Sequence, residues 1–231
     1  MTTAITTQEQ KNITNKVDTQ ALNGMGLSMS DFRPTYLAVQ QKMSKAVDQG
    51  ICKPGDIIET SINNIVGGEG KPVEIFPIFM RKEWCSYYKD TKDLKPFRKE
   101  AYGPLNAHWK YNEVQEGREV KNDLVTIWYV LPAIEGALPS IVSFRGNSGR
   151  AGNNLSQMVI RQIAAGKPGF SKAIKLESVK ESNEKGTFYV FKTSMGRDAT
   201  GTELASCHMW EKMFNSSPAP VVEEEGEAVP F

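Results

Sequence analysis

Residues 124–131 read Leu124-Val125-Thr126-Ile127-Trp128-Tyr129-Val130-Leu131, the most apolar strand candidate in the chain. A run of β-branched and aromatic residues of this length marks a strand buried in a sheet. Glu135-Gly136 turns the chain, and residues 139–144 return it as far as Phe144. Upstream, the turn signal Lys53-Pro54-Gly55-Asp56 precedes the strand candidate Ile57-Ile58-Glu59-Thr60-Ser61-Ile62. Gly67, Gly68 and Gly70 then close a hairpin loop before a strand at 72–80, whose Pro77 asks for an edge or a bulge. Strand character continues over 82–88 and returns at 187–193. Residues 90–117 show little period and read as a long loop. Helical spacing occurs behind Pro34 (Tyr36, Val39, Met43, Val47), within 153–165 (Leu155, Met158, Val159, Ile163) and over 203–214. Strands in hairpins with few helices argue against a doubly wound parallel sheet. They predict a mainly β fold, an antiparallel barrel or sandwich with added helices.

The 231 residues carry 28 Lys+Arg against 27 Asp+Glu, and 39% are hydrophobic, enough for a packed core. With no long apolar run, no secretory signal and three well-separated cysteines (Cys52, Cys85, Cys207) read as reduced thiols, a cytoplasmic location without membrane contact is expected. Residues 1–30 read as a flexible arm, 31–215 as the folded domain and 216–231 as a disordered acidic tail. That tail holds Glu223, Glu224, Glu225 and Glu227, then Pro230-Phe231, and no Lys or Arg. Without it, 28 basic residues face 23 acidic ones, a body of +5. Residues 141–175 contain Arg145, Arg150, Arg161, Lys167, Lys172 and Lys175 and no acid. A basic body beside an acidic tail points to a polyanionic partner.

Nothing in the sequence argues for an enzyme, a cofactor or a metal. The two histidines, His108 and His208, have no ligand spacing around them, and neither a serine-hydrolase elbow nor a Walker loop occurs. One glycine-rich stretch, Gly146 to Gly152, sits between a strand and a helix. It suits either a phosphate cradle flanked by Arg145 and Arg150 or a simple connector.

The most informative region is 81–118. It interleaves Trp84, Tyr87, Tyr88, Phe97, Tyr102, Trp109 and Tyr111 with Arg81, Lys82, Lys89, Lys92, Lys95, Arg98, Lys99 and Lys110. Aromatic faces stack on unpaired bases while cations follow the phosphates, so this is the composition of a single-strand platform. Alternation puts Trp84, Ser86 and Tyr88 on one strand face and Cys85 and Tyr87 on the other, so one set is expected in the core. Tyr102, Trp109 and Tyr111 are the better candidates for exposure. In the tail, one terminal aromatic with its carboxylate is a compact anchor for a partner's pocket.

The acidic tail ending in Pro230-Phe231 resembles the tip of bacterial single-stranded DNA-binding proteins. On a chain of this length it is similar to bacteriophage replicative single-stranded DNA-binding proteins. Arg33-Pro34-x-Tyr36-Leu37, the Lys53-Pro54-Gly55-Asp56 turn and Ser143-Phe144-Arg145-Gly146 resemble that class more diffusely. The resemblance implies an oligonucleotide-binding (OB) barrel that holds single-stranded DNA without sequence preference, and a tail that recruits replication or recombination proteins. The expected DNA contacts are Arg81, Lys82, Trp84, Tyr88, Arg98, Lys99, Tyr102, Trp109, Tyr111, Arg145, Arg150, Lys167 and Lys172. The competing expectation is a phage structural or assembly protein that uses the same aromatics and tail as protein interfaces.

Overall fold

A computed structural model of the chain describes residues 32–90, 96–184 and 186–216. The expected arm, and the tail beyond Ser216, lie outside the described residues, as do Lys92 and Lys95. Ten strands form one sheet: β1 (Thr35–Val39), β2 (Ile57–Glu59), β3 (Asn64–Gly67), β4 (Val73–Tyr88), β5 (Arg98–Ala101), β6 (Asn112–Gln115), β7 (Arg118–Pro132), β8 (Ser140–Phe144), β9 (Lys172–Asn183) and β10 (Gly186–Asp198). Among the described residues three α-helices accompany them, α1 (Lys45–Asp48), α2 (Gly149–Ala164) and α3 (Gly201–Ser216), with a 3-10 turn at Gly146–Ser148. The fold is mainly β, as expected. Its main path runs β10-β9-β4-β7-β8-β1-β2-β3, with β5 added to β4 and β6 to β7.

The apolar run of 124–131 is the middle of β7, which is flanked by β4 and β8 and buried on both faces along most of that run. Trp128 and Val130 face a core completed by Leu37, Ile57, Phe144, Phe191 and the α2 residues Leu155 and Val159. Val125, Ile127, Tyr129 and Leu131 face a second core with Phe76, Ile141 and the α3 residues Trp210 and Phe214. Double-sided burial explains an unbroken hydrophobic run where a half-exposed strand would alternate. Pro77 lies inside β4, and the register shifts between Pro77 and Phe79, the bulge that a strand interior needs where no N–H is available.

The sheet curls into a half barrel. Side chains hold its far ends together. The Gln41 amide brackets the Tyr189 backbone, donating to its carbonyl at 2.7 Å and accepting from its N–H at 2.9 Å. The Ser178 hydroxyl donates to the Gly55 carbonyl, and Gly70 N–H donates to Glu177. Gly55 has a φ of +91°, and a Cβ there would lie 2.6 Å from the Tyr189 ring. Gly55→Ala is therefore expected to cost more than about 1 kcal/mol in a urea unfolding titration, since it combines left-handed backbone with a clash.

Three local expectations change. Residues 35–39 form a strand, because Tyr36 and Leu37 pack on opposite sheet faces and β1 pairs with both β2 and β8; of the expected helix there, the short α1 is what forms. The loop of 90–117 contains β5 and β6. The sequence reading names no strand at 172–183, where β9 lies.

The last helix begins earlier than expected, through a capping box. Glu203 N–H donates to the Thr200 hydroxyl at 3.3 Å, while Thr200 N–H donates to the Glu203 carboxylate at 2.8 Å. Arg197 donates to the same carboxylate at 2.6 and 2.8 Å. That guanidinium, with the Thr200 donors, holds the Glu203 carboxyl down to about 2. A depressed carboxyl stabilises the fold above its unfolded value of 4.5, and this contribution is lost as pH falls toward 2. Glu203→Gln is expected to flatten the decline of thermal stability between about pH 4.5 and 2, measured by scanning calorimetry.

Candidate nucleic-acid interface

The second half of β4 and the first half of β7 extend together as an antiparallel pair. β5 pairs with Glu83 to Ser86 and β6 with Arg118 to Lys121, giving a four-stranded flap ordered β5-β4-β7-β6. A polar seam fastens it. The buried Ser86 hydroxyl donates to Asn122 Oδ1 at 2.7 Å and accepts from Arg98, and Asn122 Nδ2 donates to the Lys110 carbonyl at 2.8 Å. Buried polar groups satisfied in this way fix the register of the strands and the loop over them.

Trp84 is only 8% exposed. Its indole N–H donates to the Asn106 carbonyl at 3.0 Å, while the Asn106 side chain bonds Ala101 O and Gly103 N–H. Trp84 is thus the anchor on which residues 101–109 fold, and its face is not open to a ligand. From it a ladder of rings and guanidinium groups runs along one side of the flap. Trp109 lies 6.1 Å from Trp84 between ring centroids, and Arg98 sits 3.8 Å over the Trp109 ring and 5.8 Å from Phe97. Phe97 stacks on Tyr88 at 4.0 Å, and Arg118 covers Tyr88 at 3.6 Å. Tyr102, tilted 6.4 Å from Trp84, is about half exposed, as are Phe97 and Tyr111. A groove of about 320 Å³ opens beside the ladder between Arg98, His108, Trp109 and Lys110 and strand β6.

The flap cations are mostly paired. Arg81 meets Glu83, Lys89 meets Glu119, Arg98 meets Glu100 and Glu113, Arg118 meets Asp90, and Lys121 meets Asp123. Lys99 lies on β5 opposite Cys85. Lys82 and Lys110 have no ion-pair partner among the described residues. The Lys89–Glu119 and Arg118–Asp90 pairs are exposed on both sides and contribute little to stability, so a phosphate can replace the carboxylate there at small net cost, whereas Asp123 beside Lys121 is buried.

The acid-free stretch is not one surface. Arg150 begins α2 and Lys167 follows its end, so a helix about 24 Å long separates them. Lys172 is held by Asp198 at 3.0 Å. Arg145 does reach the flap, donating to the Tyr87 hydroxyl at 3.3 Å. Burial pushes the Tyr87 phenol up to about 12, keeping it neutral. Ser86, Asn106 and Asn122 carry no signal in the sequence as site residues, because an isolated polar residue has no period; Tyr87 belongs to the aromatic set of 81–118 but not to the expected DNA contacts. The glycine-rich stretch has a structural explanation. Gly146 takes a φ of +51° in the turn before α2, and at Gly152 a Cβ would fall 2.7 Å from Phe144.

A family model described as Pam3 phage gp34-like protein matches residues 7–215. The chain belongs to this phage protein family. Neither the curated proteins nor the solved structures include a match. The matched range takes in the whole described fold up to the last residue but one of α3, flap included, and stops before the Glu-rich segment.

Among the described residues no group of three His, Cys, Asp or Glu side chains could hold a metal, and no helix is long and apolar enough to cross a membrane. All three cysteines are buried, and none forms a disulfide.

Proposed function

We propose that this chain binds single-stranded DNA without sequence preference through an OB-like barrel, and that its Glu-rich segment recruits replication or recombination proteins. One observation carries the reading: the aromatic flap is the connection between the first two strands of a meander–helix–hairpin unit. In that unit β4, β7 and β8 form the meander, α2 follows, and the β9–β10 hairpin returns so that β9 pairs with β4. This order supports an OB-like reading, under which the loop between strands 1 and 2 and the face of strands 2 and 3 would contact oligonucleotides. Half-exposed Phe97, Tyr102 and Tyr111 among exchangeable cations suit that position. The mechanism is sequestration. Rings stack on bases, and Arg and Lys neutralise phosphates.

The test is a titration of the full chain with poly(dT), followed by intrinsic tryptophan fluorescence at several salt concentrations. Binding is expected to weaken with salt, with a log–log slope of about −0.7 per phosphate neutralised. Salt-independent binding, or a preference for duplex, would overturn the reading and favour a flap that docks protein.

A further inference from the structure

A groove of about 340 Å³ lies on the side of the barrel between the C-terminal half of α2, the last turn of α3 and strand β4. Met80, Ile160 and Ile163 line it, and of the described residues in its lining Glu211 alone is charged. Ile160 is 54% exposed, Ile163 59% and Met80 37%. The two isoleucines lie one helical turn apart and belong to neither core. Large apolar side chains left open together around a concavity mark a contact surface.

The helix beside the groove lacks the charges that a solvent-facing helix carries. The sixteen residues of α2 hold two arginines, Arg150 and Arg161, and no acid. Asn153, Gln157, Ile160 and Ala164 recur at helical spacing and are all exposed, so the outermost row of α2 is uncharged over about three turns. A centre depleted of charge with charged groups at its rim is the composition of a protein–protein contact.

We propose that this surface is an interface between two copies of the chain, in which each lays its own α2 into the groove of the other. Charge selects this occupant. The groove asks for an apolar knob beside a cation, the first to fill the space and the second to meet Glu211. On α2, Ile160 is followed by Arg161. One residue is about 100° of helix, which turns Arg161 away from the groove of its own chain. It is exposed and has no ion-pair partner among the described residues.

A two-fold axis running along α2 lays Ile160 in the second groove and carries Arg161 over the partner's Glu211. Such an axis keeps positions along the helix, and Glu211 borders the same groove as Ile160 and Ile163. The contact is made twice, the isologous arrangement of closed homodimers. Within its own chain Glu211 meets the half-exposed His208 ring at 3.3 Å, a pair exchanged at little cost. Lys212 does not line the groove. An acidic partner meets Glu211 as a like charge, and α2 brings none. The groove is separate from the flap, so this pairing does not depend on the DNA-binding reading.

The test is sedimentation of the full chain by analytical ultracentrifugation over a concentration series. The expected result is a monomer–dimer equilibrium whose dissociation constant rises more than about tenfold in Ile160→Glu. Ile163→Glu serves equally if that variant loses its circular-dichroism signature. Arg161→Glu and Glu211→Arg are each expected to weaken the dimer as well, since both contacts then set like charges together. An equimolar mixture of these two variants is expected to pair again, because in a mixed dimer both contacts join opposite charges. A loss of fold would give no such recovery. A chain that stays monomeric throughout the series, a dimer indifferent to both isoleucine variants, or a mixture no more associated than its components would each overturn the proposal.

Discussion

Trp128→Ala is expected to lower the stability of the chain by about 3–5 kcal/mol, the cost of truncating a large core aromatic. Trp128 stands at the centre of β7, opposite Met80 on β4 and Val142 on β8, and is 5% exposed. It packs in the core that joins the meander to α2 and to the curled ends of the sheet. Its indole N–H has no partner, so the loss is one of packing and cavity formation, with no hydrogen bond broken. Against a total stability of about 5–15 kcal/mol for a domain, this is a large fraction. The measurement is a urea titration, in which the midpoint falls while the slope is unchanged. Leu124→Ala on the same strand is the internal control. Leu124 is 37% exposed, and its truncation is expected to cost less than about 1 kcal/mol. Equal losses at both positions would mean that the two-sided burial of β7 is not what holds the fold.

The second large effect is on binding. Tyr111→Ala and Tyr102→Ala are each expected to weaken affinity for single-stranded DNA by about 1–3 kcal/mol, with little change in stability. Tyr111 is 56% exposed, with the Lys121 ammonium 5.5 Å from its ring, so a base stacked there also meets a cation. Trp109 behaves differently. One of its faces is taken by Arg98, and it leans on Trp84, so Trp109→Ala loosens the flap while it removes a ring. Fluorescence titration beside thermal unfolding separates the two effects. Unchanged affinity for both tyrosine variants, with the flap still folded, would place the stacking surface elsewhere.

The contrast between Trp84 and Tyr111 shows what was legible in the sequence. Composition marked the whole of 81–118 as aromatic and basic, and alternation required that one set of rings be buried. Composition is blind to which set, because that depends on partners distant in sequence. Asn106 caps the Trp84 indole, and Ser86 meets Asn122 across 36 residues. The same blindness affects β9. Ile174, Leu176 and Ser178 are buried in alternation with Lys175 and Glu177, but only two of those buried residues are large and apolar, too short a pattern to mark a strand of twelve residues.

By itself, then, the sequence determined the features that depend on neighbours along the chain: the apolar β7, the Pro77 bulge, the glycine turns, α2, and the split between a basic body and an acidic end. These follow from local sterics and from the period of burial, which act within a few residues. Tertiary structure alone decided that 35–39 is a strand, because β8 and β2 supply its hydrogen bonds. It decided that residues 98–101 and 112–115 extend a sheet, and that the cations of 141–175 scatter over two ends of a helix. Each of those outcomes rests on hydrogen bonds or packing between segments far apart in the chain, and such contacts leave no local pattern from which to read them.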